Sequence, residues 1–346
     1  MKGRIVVLGV LRGLEAAALM VDGQIEDLLV DTSEAVSLPP GAICRGRIER
    51  QMKGQGGVFV RLPGGETGFL REVKGLTPGQ TVICQVTGGT EPGKALPESL
   101  RLLFKGRYGI VTPGAPGLNV SRRIREEDTR EGLQALARVV MEGSEMGLIL
   151  RSACEGAEEG EIAEDIAGLR ELAEAVTADA AGEPELLVDA AGPHEEAWRE
   201  WADPLPDEVA EGFDENGVLE AVDALLSPRV ALPGGGHMMI EPTRALIAVD
   251  VNTGPDTSPA ASLKANIAAA RDLPRQLRLR GLGGQVVVDF APMPKKDRAT
   301  LEQQIRVAFK GEAAETSLAG WTPLGMFELV RKRDRVALGA LLEGRE

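Results

Sequence analysis

Cysteine, histidine and aromatic residues are scarce in this chain of 346 residues. The three cysteines, Cys44, Cys84 and Cys154, are odd in number, lie far apart and form no CxxC pair, which argues against a zinc site or a disulfide framework. Two histidines, His194 and His237, give little material for catalysis by a histidine pair acting as acid and base. Aromatic residues make up only 3% of the chain, so each phenylalanine outside an obvious core segment is informative.

Long hydrophobic runs are also missing. No apolar stretch approaches the ~18 residues of a membrane-spanning helix, and no signal-peptide pattern is found. We therefore expect a cytoplasmic protein with no membrane partner. A chain of 346 residues can bury a sizeable core and is long enough for two or more domains.

Positive charge is in the minority, and the formal net charge is −14. This balance alone argues against a polyanionic ligand, but its distribution changes the interpretation. Residues 155–226 contain 23 acidic residues and only two arginines, whereas the rest of the chain carries 30 acidic and 37 basic residues. Polyanion binding depends on local fields of lysine and arginine, so the basic part of the chain remains suited to it. The acidic block is most simply a solvated surface.

The segment 244–290 has the pattern of a β-α-β unit. Two short apolar runs, at 244–249 and 286–288, are separated by a helical stretch and bounded by glycines. Crossovers of this kind join parallel strands, whose ends meet at the same sheet edge. The runs end in Asp250 and Asp289, so neighbouring strands would place the two carboxylates about 5 Å apart.

Two carboxylates at that separation repel each other unless a proton or a cation lies between them. Mg²⁺ accepts one or two protein carboxylates and fills its other positions with water and phosphate oxygens. The alternative is that each aspartate merely ends a strand and begins a turn, as aspartate often does. Spacing alone does not decide between a metal site and two turns.

Four strings in this segment resemble the catalytic region of the ribonuclease E/G family: AVDVNTG at 248–254, RQLRLR at 275–280, LGG at 282–284 and VVDF at 287–290. In that family two aspartates hold the catalytic Mg²⁺, and the asparagine two residues after the first supports them by a hydrogen bond. The resemblance implies these roles for Asp250, Asp289 and Asn252, with Mg²⁺ as the cofactor. It covers nearly the whole chain and is weakest at 185–212.

The resemblance implies a multidomain fold of mixed α+β and α/β class. The implied units, in chain order, are the first part of an RNase H-like subdomain (1–35), an OB-fold RNA-binding barrel (36–100), a region that senses the 5′ end of RNA (101–183), a trimmed second part of the RNase H-like subdomain (184–235) and a DNase I-like α/β catalytic domain (236–346). The strand expected at 185–189 would return the chain to the RNase H-like subdomain.

The barrel is also predicted from the residues themselves. Short strands with glycine and proline turns follow one another from Pro39 to Ser99, as in a five-stranded OB fold. Phe59 and Phe69 stand out within it. In the resembled family, phenylalanines at the matching places stack on RNA bases, and the alternative is that both fill the barrel core. Basic residues suited to tracking an RNA backbone are Arg45, Arg47, Arg50, Lys53 and Arg61.

Two strings joined by a helix are similar to the family's sensor of a 5′-monophosphate: NVSRRI at 119–124 and GLILRS at 147–152. The resemblance implies Arg151 and Ser152 as phosphate ligands, with Arg122 and Arg123 as RNA contacts nearby. A serine stands where the family usually has threonine, so the hydroxyl is kept. An arginine fork beside a hydroxyl suits a terminal phosphate, while an arginine paired with a local acid is the alternative.

The stretch PLGMFELVRKR at 323–333 resembles the end of the family's nuclease domain. Arg331 and Arg333 are predicted to contact RNA near the site of cleavage, and the alternative is a basic helix end facing its own macrodipole. The crossover helix departs from the family pattern at Ala268, where an acidic residue is usual, and at Pro274, where we expect a kink or a break. No cysteine pair for a zinc link follows, so we expect no zinc-linked tetramer, while a homodimer stays open.

The predicted function is a Mg²⁺-dependent endoribonuclease of single-stranded RNA, acting in ribosomal or transfer RNA processing or in messenger decay and favouring 5′-monophosphorylated RNA. The alternative is an RNA-binding protein with a weakened or inactive nuclease domain, motivated by Ala268, Pro274 and the trimmed subdomain. A metal-dependent deoxyribonuclease or other phosphodiesterase is a third hypothesis, because no residue indicates how a 2′-hydroxyl would be read.

Overall fold

The computed structural model describes residues 3–52, 56–71, 75–89 and 93–345. The chain opens with a meander of three antiparallel strands, β1 (Arg4–Leu11), β2 (Leu14–Val21) and β3 (Gln24–Val30). Asp22 and Gly23 both have positive φ at the turn between β2 and β3, which is the geometry that a tight two-residue hairpin requires.

A closed five-stranded barrel follows, as predicted. Its strands are β4 (Ile43–Met52), β5 (Gly57–Arg61), β6 (Thr67–Arg71), β7 (Thr81–Val86) and β8 (Leu96–Ser99). β4 pairs with both β5 and β7, and β8 pairs with both β6 and β7, so the sheet closes on itself. Apolar side chains such as Ile48, Val58 and Leu70 fill the interior. The five strands therefore pair in a ring, as in an OB-like fold.

The next unit combines a four-stranded sheet with two helices. Its elements are β9 (Phe104–Lys105), β10 (Gly109–Thr112), β11 (Leu118–Val120), α1 (Glu127–Val140), β12 (Gly147–Leu150) and α2 (Glu159–Ala178). The strand order is β11-β12-β10-β9, with β11 parallel to β12. Leu133 of α1, Leu148 of β12 and Ile166 of α2 belong to one core cluster. The helix expected between the NVSRRI and GLILRS strings is therefore present as α1.

The strand predicted at 185–189 exists as β13 (Glu185–Val188), but the partner expected for it is wrong. β13 pairs antiparallel with β4 of the barrel rather than with the opening meander. A short apolar pattern indicates a strand without specifying the edge that it joins, and here Arg45 of β4 forms ion pairs with Glu185 and Asp179 at this junction.

The meander is completed instead by β14 (Glu208–Glu211), which runs parallel to β1. Helices α3 (Pro193–Glu200) and α4 (Val218–Leu226) belong to two separate core clusters of this sheet. Ala197 of α3 packs with Ala17 and Leu19 of β2, whereas Val222 of α4 packs with Ile5 and Val7 of β1. Because residues of alternating parity point to opposite faces, the two helices cover opposite sides of the sheet.

The last part of the chain forms a six-stranded mixed sheet with order β15-β16-β17-β18-β20-β19. Its strands are β15 (Arg229–Ala231), β16 (His237–Pro242), β17 (Ile247–Asn252), β18 (Gly284–Asp289), β19 (Thr316–Trp321) and β20 (Phe327–Arg331). β17 and β18 run parallel, and the other neighbours run antiparallel. The helices are α5 (Pro259–Leu279), α6 (Arg298–Phe309) and α7 (Leu338–Leu342).

Helix α5 is the predicted crossover, and it continues through Pro274 as one helix of 21 residues, so a break at Pro274 is excluded, whereas a kink there stays a prediction. Ser258 caps its start, with Oγ accepting a hydrogen bond from the Ala261 N–H at 3.2 Å. Proline inside a helix costs about 3 kcal/mol, but Leu273 and Leu277 on either side are buried in the sheet core. Packing of the apolar face therefore outweighs the local cost.

Charged contacts connect these units. Arg278 of α5 donates to Glu26 of β3 at 2.8 Å, and Arg335 donates to Asp27 at 3.0 Å. The Gly89 N–H after β7 donates to the Arg333 carbonyl at 2.9 Å, which brings the barrel against the segment after β20. In the part of the chain that the structure describes, no helix is long and apolar enough to cross a membrane.

A pH dependence of stability is predicted in the barrel. Glu98 of β8 is 8% exposed, and burial raises its pKa from 4.5 to about 7. Glu98 therefore holds a proton in the folded protein that it releases in the unfolded chain, so its contribution to stability is greatest below pH 4.5 and declines as the pH rises to about 7. Glu98→Gln is expected to remove this decline and to raise the free energy of unfolding above pH 7 by up to about 3 kcal/mol.

Urea unfolding on the acidic and the alkaline side of neutrality measures this effect. Glu49→Gln, on the exposed side of the same barrel, is the matched control and should keep the pH dependence of the unmodified protein. An unchanged pH dependence in Glu98→Gln would contradict the role given to Glu98.

Candidate functional site

The two aspartates stand side by side on the C-terminal sheet, as predicted. β17 and β18 pair in parallel register with Asp250 directly opposite Asp289. Neighbouring strands lie about 4.8 Å apart, so both carboxylates are within reach of one cation. Both residues are exposed.

The alternation of each strand explains why the aspartates face solvent. Val249 and Val251 of β17 and Val288 of β18 are buried in the core that α5 and α6 cover. Asp250 and Asp289 therefore project from the opposite face. Asp250 lies two residues before the end of β17, and Asp289 is the last residue of β18. The pair sits on an open sheet face rather than in a closed pocket.

Asn252 contacts the first aspartate in the manner that the sequence predicts. Its Nδ2 donates to Oδ2 of Asp250 at 2.6 Å. Residues two apart on a strand share a face, so this bond runs along the open face and restrains the carboxylate. His237 of β16 lies opposite Asn252 in the antiparallel register, which puts a histidine beside the site. No sequence pattern indicated this neighbour, because the pairing of β16 is set by tertiary structure.

The donor set fits a hard divalent cation. Two carboxylates at one register leave the other coordination positions to water and substrate oxygens, which is how Mg²⁺ is usually bound. Among the residues described, no group of three or more histidine, cysteine, aspartate or glutamate side chains is arranged to hold a metal. Asp250 and Asp289 would hold the ion, and Asn252 would orient Asp250.

The glycines of the LGG string and the preceding Gly281 let another part of the chain pass close to the start of β18. A Cβ on Gly281, which has φ +63°, would lie 2.1 Å from the Val336 carbonyl oxygen. A Cβ on Gly284, with φ +105°, would lie 2.4 Å from Nη2 of Arg333. The guanidinium of Arg333 thus packs at the beginning of β18. Asp289 lies five residues further along this strand, which is a distance of about 16 Å.

Arg331 is buried, so the prediction that it contacts RNA is wrong. Its side chain is 1% exposed, and Nη1 pairs with Oε2 of Glu312 at 3.0 Å. Arg331 ends strand β20, not a helix, and lies in phase with the buried Phe327 and Leu329. Strand alternation carries this member of the basic run inward, which an interpretation of the run as a charged surface does not anticipate.

Phe59 and Phe69 lie on the outside of the barrel. They are opposite each other on β5 and β6, with ring centroids 5.2 Å apart, and both are half-buried and absent from the barrel core. The Arg50 guanidinium lies 4.7 Å from the Phe59 centroid. Gly57 makes room for this phenylalanine pair, because a Cβ there would lie 2.4 Å from Cζ of Phe69. The two phenylalanines therefore form a partly exposed aromatic surface next to the Arg50 guanidinium.

The other basic residues of the barrel are less free than the sequence suggests. Arg45 is 4% exposed beneath β13, so its predicted place along an RNA path is wrong. Arg47 and Arg61 approach the same carboxylate, that of Glu183, at 3.3 Å and 4.0 Å. Lys53 lies outside the described residues. Arg50 lies beside the phenylalanine pair.

Arg151 extends from the end of β12 and is already engaged. Its Nη1 donates to the Gly106 carbonyl at 2.9 Å, and its Nη2 donates to Oε2 of Glu200 on α3 at 2.8 Å. Ser152 follows and begins a short 3₁₀ turn. Glu200 was not foreseen, because it belongs to a long acidic block in which no pattern tells which carboxylate faces which arginine.

Arg122 and Arg123 leave the same edge of this sheet as Arg151. β11 is parallel to β12 with Val120 opposite Leu150, so the residues after the two strands emerge together. Both arginines are exposed, and Arg123 lies 3.4 Å from a carboxylate oxygen of Asp203. The structure therefore brings the predicted phosphate ligands, Arg151 and Ser152, and the predicted RNA contacts, Arg122 and Arg123, to one sheet edge.

Known proteins that are similar to this chain in sequence indicate its family. The model of the Ribonuclease E/G family matches residues 104–210 and 204–334. Ribonuclease E of Nostoc sp. is 30% identical over 92% of this chain and 54% of that protein. Ribonuclease E of Synechocystis sp. is 30% identical over 92% of this chain and 55% of that protein. Ribonuclease G of Salmonella typhimurium is 27% identical over 95% of this chain and 80% of that protein. The chain thus spans about half the length of the two ribonuclease E relatives.

Proposed function

Because the chain belongs to the ribonuclease E/G family, we propose that it is a Mg²⁺-dependent endoribonuclease that cleaves single-stranded RNA and favours a 5′-monophosphorylated end. The observation that carries the proposal is the parallel register of Asp250 and Asp289 on an open sheet face. An open face accepts an extended strand along its length. Substrates in ribosomal or transfer RNA processing or in messenger decay belong to the same proposal.

The residues at the site have separate tasks in this proposal. Asp250 and Asp289 bind the cation, and Asn252 keeps the carboxylate of Asp250 in place through the bond at 2.6 Å. Bound Mg²⁺ would supply an activated water and would stabilise negative charge at the phosphorus, so products would carry 5′-phosphate and 3′-hydroxyl ends. Without the cation, the two carboxylates repel the phosphates of the substrate.

The architecture fits the same proposal. The sheet β3-β2-β1-β14, in which β14 is parallel to β1, is proposed as the RNase H-like subdomain. The sheet that carries the aspartates is proposed as the DNase I-like catalytic domain, beginning near residue 236. The barrel would hold the RNA strand, and the edge with Arg151 would bind its 5′ end.

A cleavage assay on single-stranded RNA with a 5′-monophosphate tests the function. The purified chain is incubated with this RNA in Mg²⁺ and in excess chelator, and product ends are mapped. Cleavage that needs Mg²⁺ and leaves 5′-phosphates is expected. RNA that is bound but intact in both reactions would support the RNA-binding alternative instead, and equal cleavage of single-stranded DNA would indicate a general phosphodiesterase.

The phenylalanine pair is expected to contribute to RNA affinity. Phe59→Ala or Phe69→Ala should each weaken binding of single-stranded RNA by about 1–3 kcal/mol, the usual contribution of a base stacked on an aromatic ring. Fluorescence anisotropy with labelled RNA, in chelator to prevent cleavage, measures the affinity. Val307→Ala on α6 removes an exposed apolar side chain elsewhere and should bind like the unmodified protein. Unchanged affinity in both phenylalanine variants would refute stacking at this surface.

Arg151 and Glu200 are expected to act in opposite directions on the preference for a 5′-monophosphate. Arg151→Gln should abolish the preference, because the charged phosphate ligand is lost. Glu200→Gln should strengthen it, because the carboxylate at 2.8 Å no longer competes with the phosphate for the guanidinium. The measurement is the ratio of cleavage rates for RNA with 5′-monophosphate and 5′-hydroxyl ends. Glu195→Gln on the same helix is the control, since Glu195 pairs with Arg199 instead. A ratio that stays constant in Arg151→Gln would overturn the sensor assignment.

A further inference from the structure

Asn266 is a fully buried amide in the middle of α5, and both of its polar atoms contact one residue. Its Nδ2 donates to the Ala291 carbonyl oxygen at 2.9 Å, and its Oδ1 accepts a hydrogen bond from the Ala291 N–H at 2.9 Å. The exposed fraction of Asn266 is 0%. Ala291 comes two residues after Asp289. The side chain is thus hydrogen-bonded to the backbone two residues after Asp289.

The N–H and C=O groups of Ala291 depend on these two hydrogen bonds because neither neighbouring strand pairs with Ala291. The pairing of β18 with β17 ends at Asp289, and its pairing with β20 ends at Val288. Ala291 is itself only 4% exposed, so its N–H and C=O groups are removed from most of the surrounding water. A buried backbone group without a partner costs about 1–3 kcal/mol. Asn266 satisfies both groups at once.

The position of Asn266 also links the two halves of the site. α5 begins shortly after Asn252 and is the crossover that carries the chain from β17 to β18. The two hydrogen bonds from the middle of this helix to Ala291 therefore fix the chain that leaves β18 relative to the connection that follows β17. Metal ligands need their geometry held to within about 0.5 Å, and a terminal strand residue has no later sheet pairing to hold it.

We propose that Asn266 is a positioning residue for the cation site, which holds Asp289 in the orientation that allows it to share an ion with Asp250. The inference rests on the proposed function and adds a residue to it. The hydrogen-bond partners of Asn266 are Ala291 and Met293 rather than the aspartates, so it acts through the backbone of Ala291. Both a donor and an acceptor are needed at this place, and asparagine supplies both at the right length.

Direct binding of Mn²⁺ to the full chain tests the proposal independently of cleavage. The concentration of free Mn²⁺ is measured by electron paramagnetic resonance during titration of each protein. The proteins compared are the unmodified protein, Asn266→Leu, Asn266→Asp and Asp250→Asn. Asn266→Leu keeps a similar volume and loses both bonds, whereas Asn266→Asp keeps the acceptor for the Ala291 N–H. Gln276→Ala is the control, since Gln276 is a buried amide of the same helix that donates to Asp272 at 3.0 Å.

The order of the affinities identifies the role. We expect Asn266→Leu to bind Mn²⁺ at least about 10-fold more weakly than the unmodified protein, as is typical when a group that orients a metal ligand is lost. Asn266→Asp should lie between the two, and Gln276→Ala should bind normally even if its melting temperature falls. Raised Mg²⁺ should restore cleavage by Asn266→Leu.

Outcomes of two kinds would overturn the proposal, and they can be told apart. If the unmodified protein and Asn266→Leu bind Mn²⁺ equally while Asp250→Asn does not bind it, Asn266 is a packing residue only and the proposed cation site stands. Asn266 is likewise a packing residue only if Asn266→Asp binds more weakly than Asn266→Leu, because a packing site tolerates leucine better than a buried charge. If the unmodified protein binds no Mn²⁺, or Asp250→Asn binds it equally well, the cation site fails and this inference fails with it.

Discussion

Replacing Asp250 with asparagine is expected to lower the rate of RNA cleavage by about a thousandfold or more while leaving RNA affinity intact. The substitution keeps the size of the side chain and an oxygen for the bond from Asn252, and it removes one of two charges that hold the cation. A bound metal contributes several kcal/mol to transition-state stabilisation, and each 1.4 kcal/mol corresponds to about a tenfold change in rate. Asp250 is exposed on the sheet, so its replacement leaves the core unchanged.

Single-turnover cleavage at saturating Mg²⁺ and anisotropy in chelator separate the two effects. Glu328→Gln is a matched control, because Glu328 lies opposite Val287 on β20 and is an exposed carboxylate on the same face as Asp289. It removes the same charge without touching the pair and should cleave at nearly the normal rate. Full activity in Asp250→Asn would sink the assignment of the metal site.

Loss of Asp27 is expected to lower the free energy of unfolding by about 3 kcal/mol. Burial would raise the pKa of Asp27, but the charge and hydrogen bonds of Arg335 outweigh it, and the pKa lies below its ordinary value. The Asp27 side chain is 14% exposed and that of Arg335 is 24% exposed, so the pair is largely shielded. Asp27→Ala would leave the arginine with an uncompensated charge between the opening meander and the C-terminal segment.

Chemical denaturation of Asp27→Ala measures this cost. Asp223→Ala is the matched control: Asp223 also pairs with an arginine, Arg12, at 3.2 Å, but its side chain is 71% exposed. Such a surface pair contributes about 0.2–1 kcal/mol, so Asp223→Ala should change the free energy of unfolding by no more than this amount. The double variant Asp27→Ala/Arg335→Ala should be less destabilised than the sum of its two single variants, and strict additivity would contradict the pairing.

The adjacency of Asp250 and Asp289 was predictable because few arrangements of the two strands are physically possible. Two apolar runs joined by one helix imply parallel neighbours, and parallel neighbours imply that residues ending the runs meet. Asp250 and Asp289 needed no knowledge of distant contacts. The barrel was predictable for a similar reason, since closely spaced strands with glycine turns have few ways to close. Its outward phenylalanines followed from the family resemblance, since either face of the barrel was open to them on the residues alone.

What could not be predicted depends on contacts between distant parts of the chain. β13 was recognised as a strand, but its edge was decided by packing against the barrel. Arg331 belongs to a basic run, and only the phase of β20 shows that it points inward. Asn266 and Glu200 gained their importance from contacts with Ala291 and Arg151, which lie 25 and 49 residues away in sequence. No local periodicity encodes such pairs.

An enclosed pocket can surround a mononucleotide. The exposed sheet face that carries Asp250 and Asp289 cannot. Small phosphate esters bound there would keep most of their surface in water, whereas small-molecule affinity depends on enclosure. We therefore expect nucleotides to inhibit poorly and oligonucleotides that also reach the barrel to compete well. For the same reason, short cleavage fragments should dissociate quickly, so that the chemical step rather than product departure limits turnover.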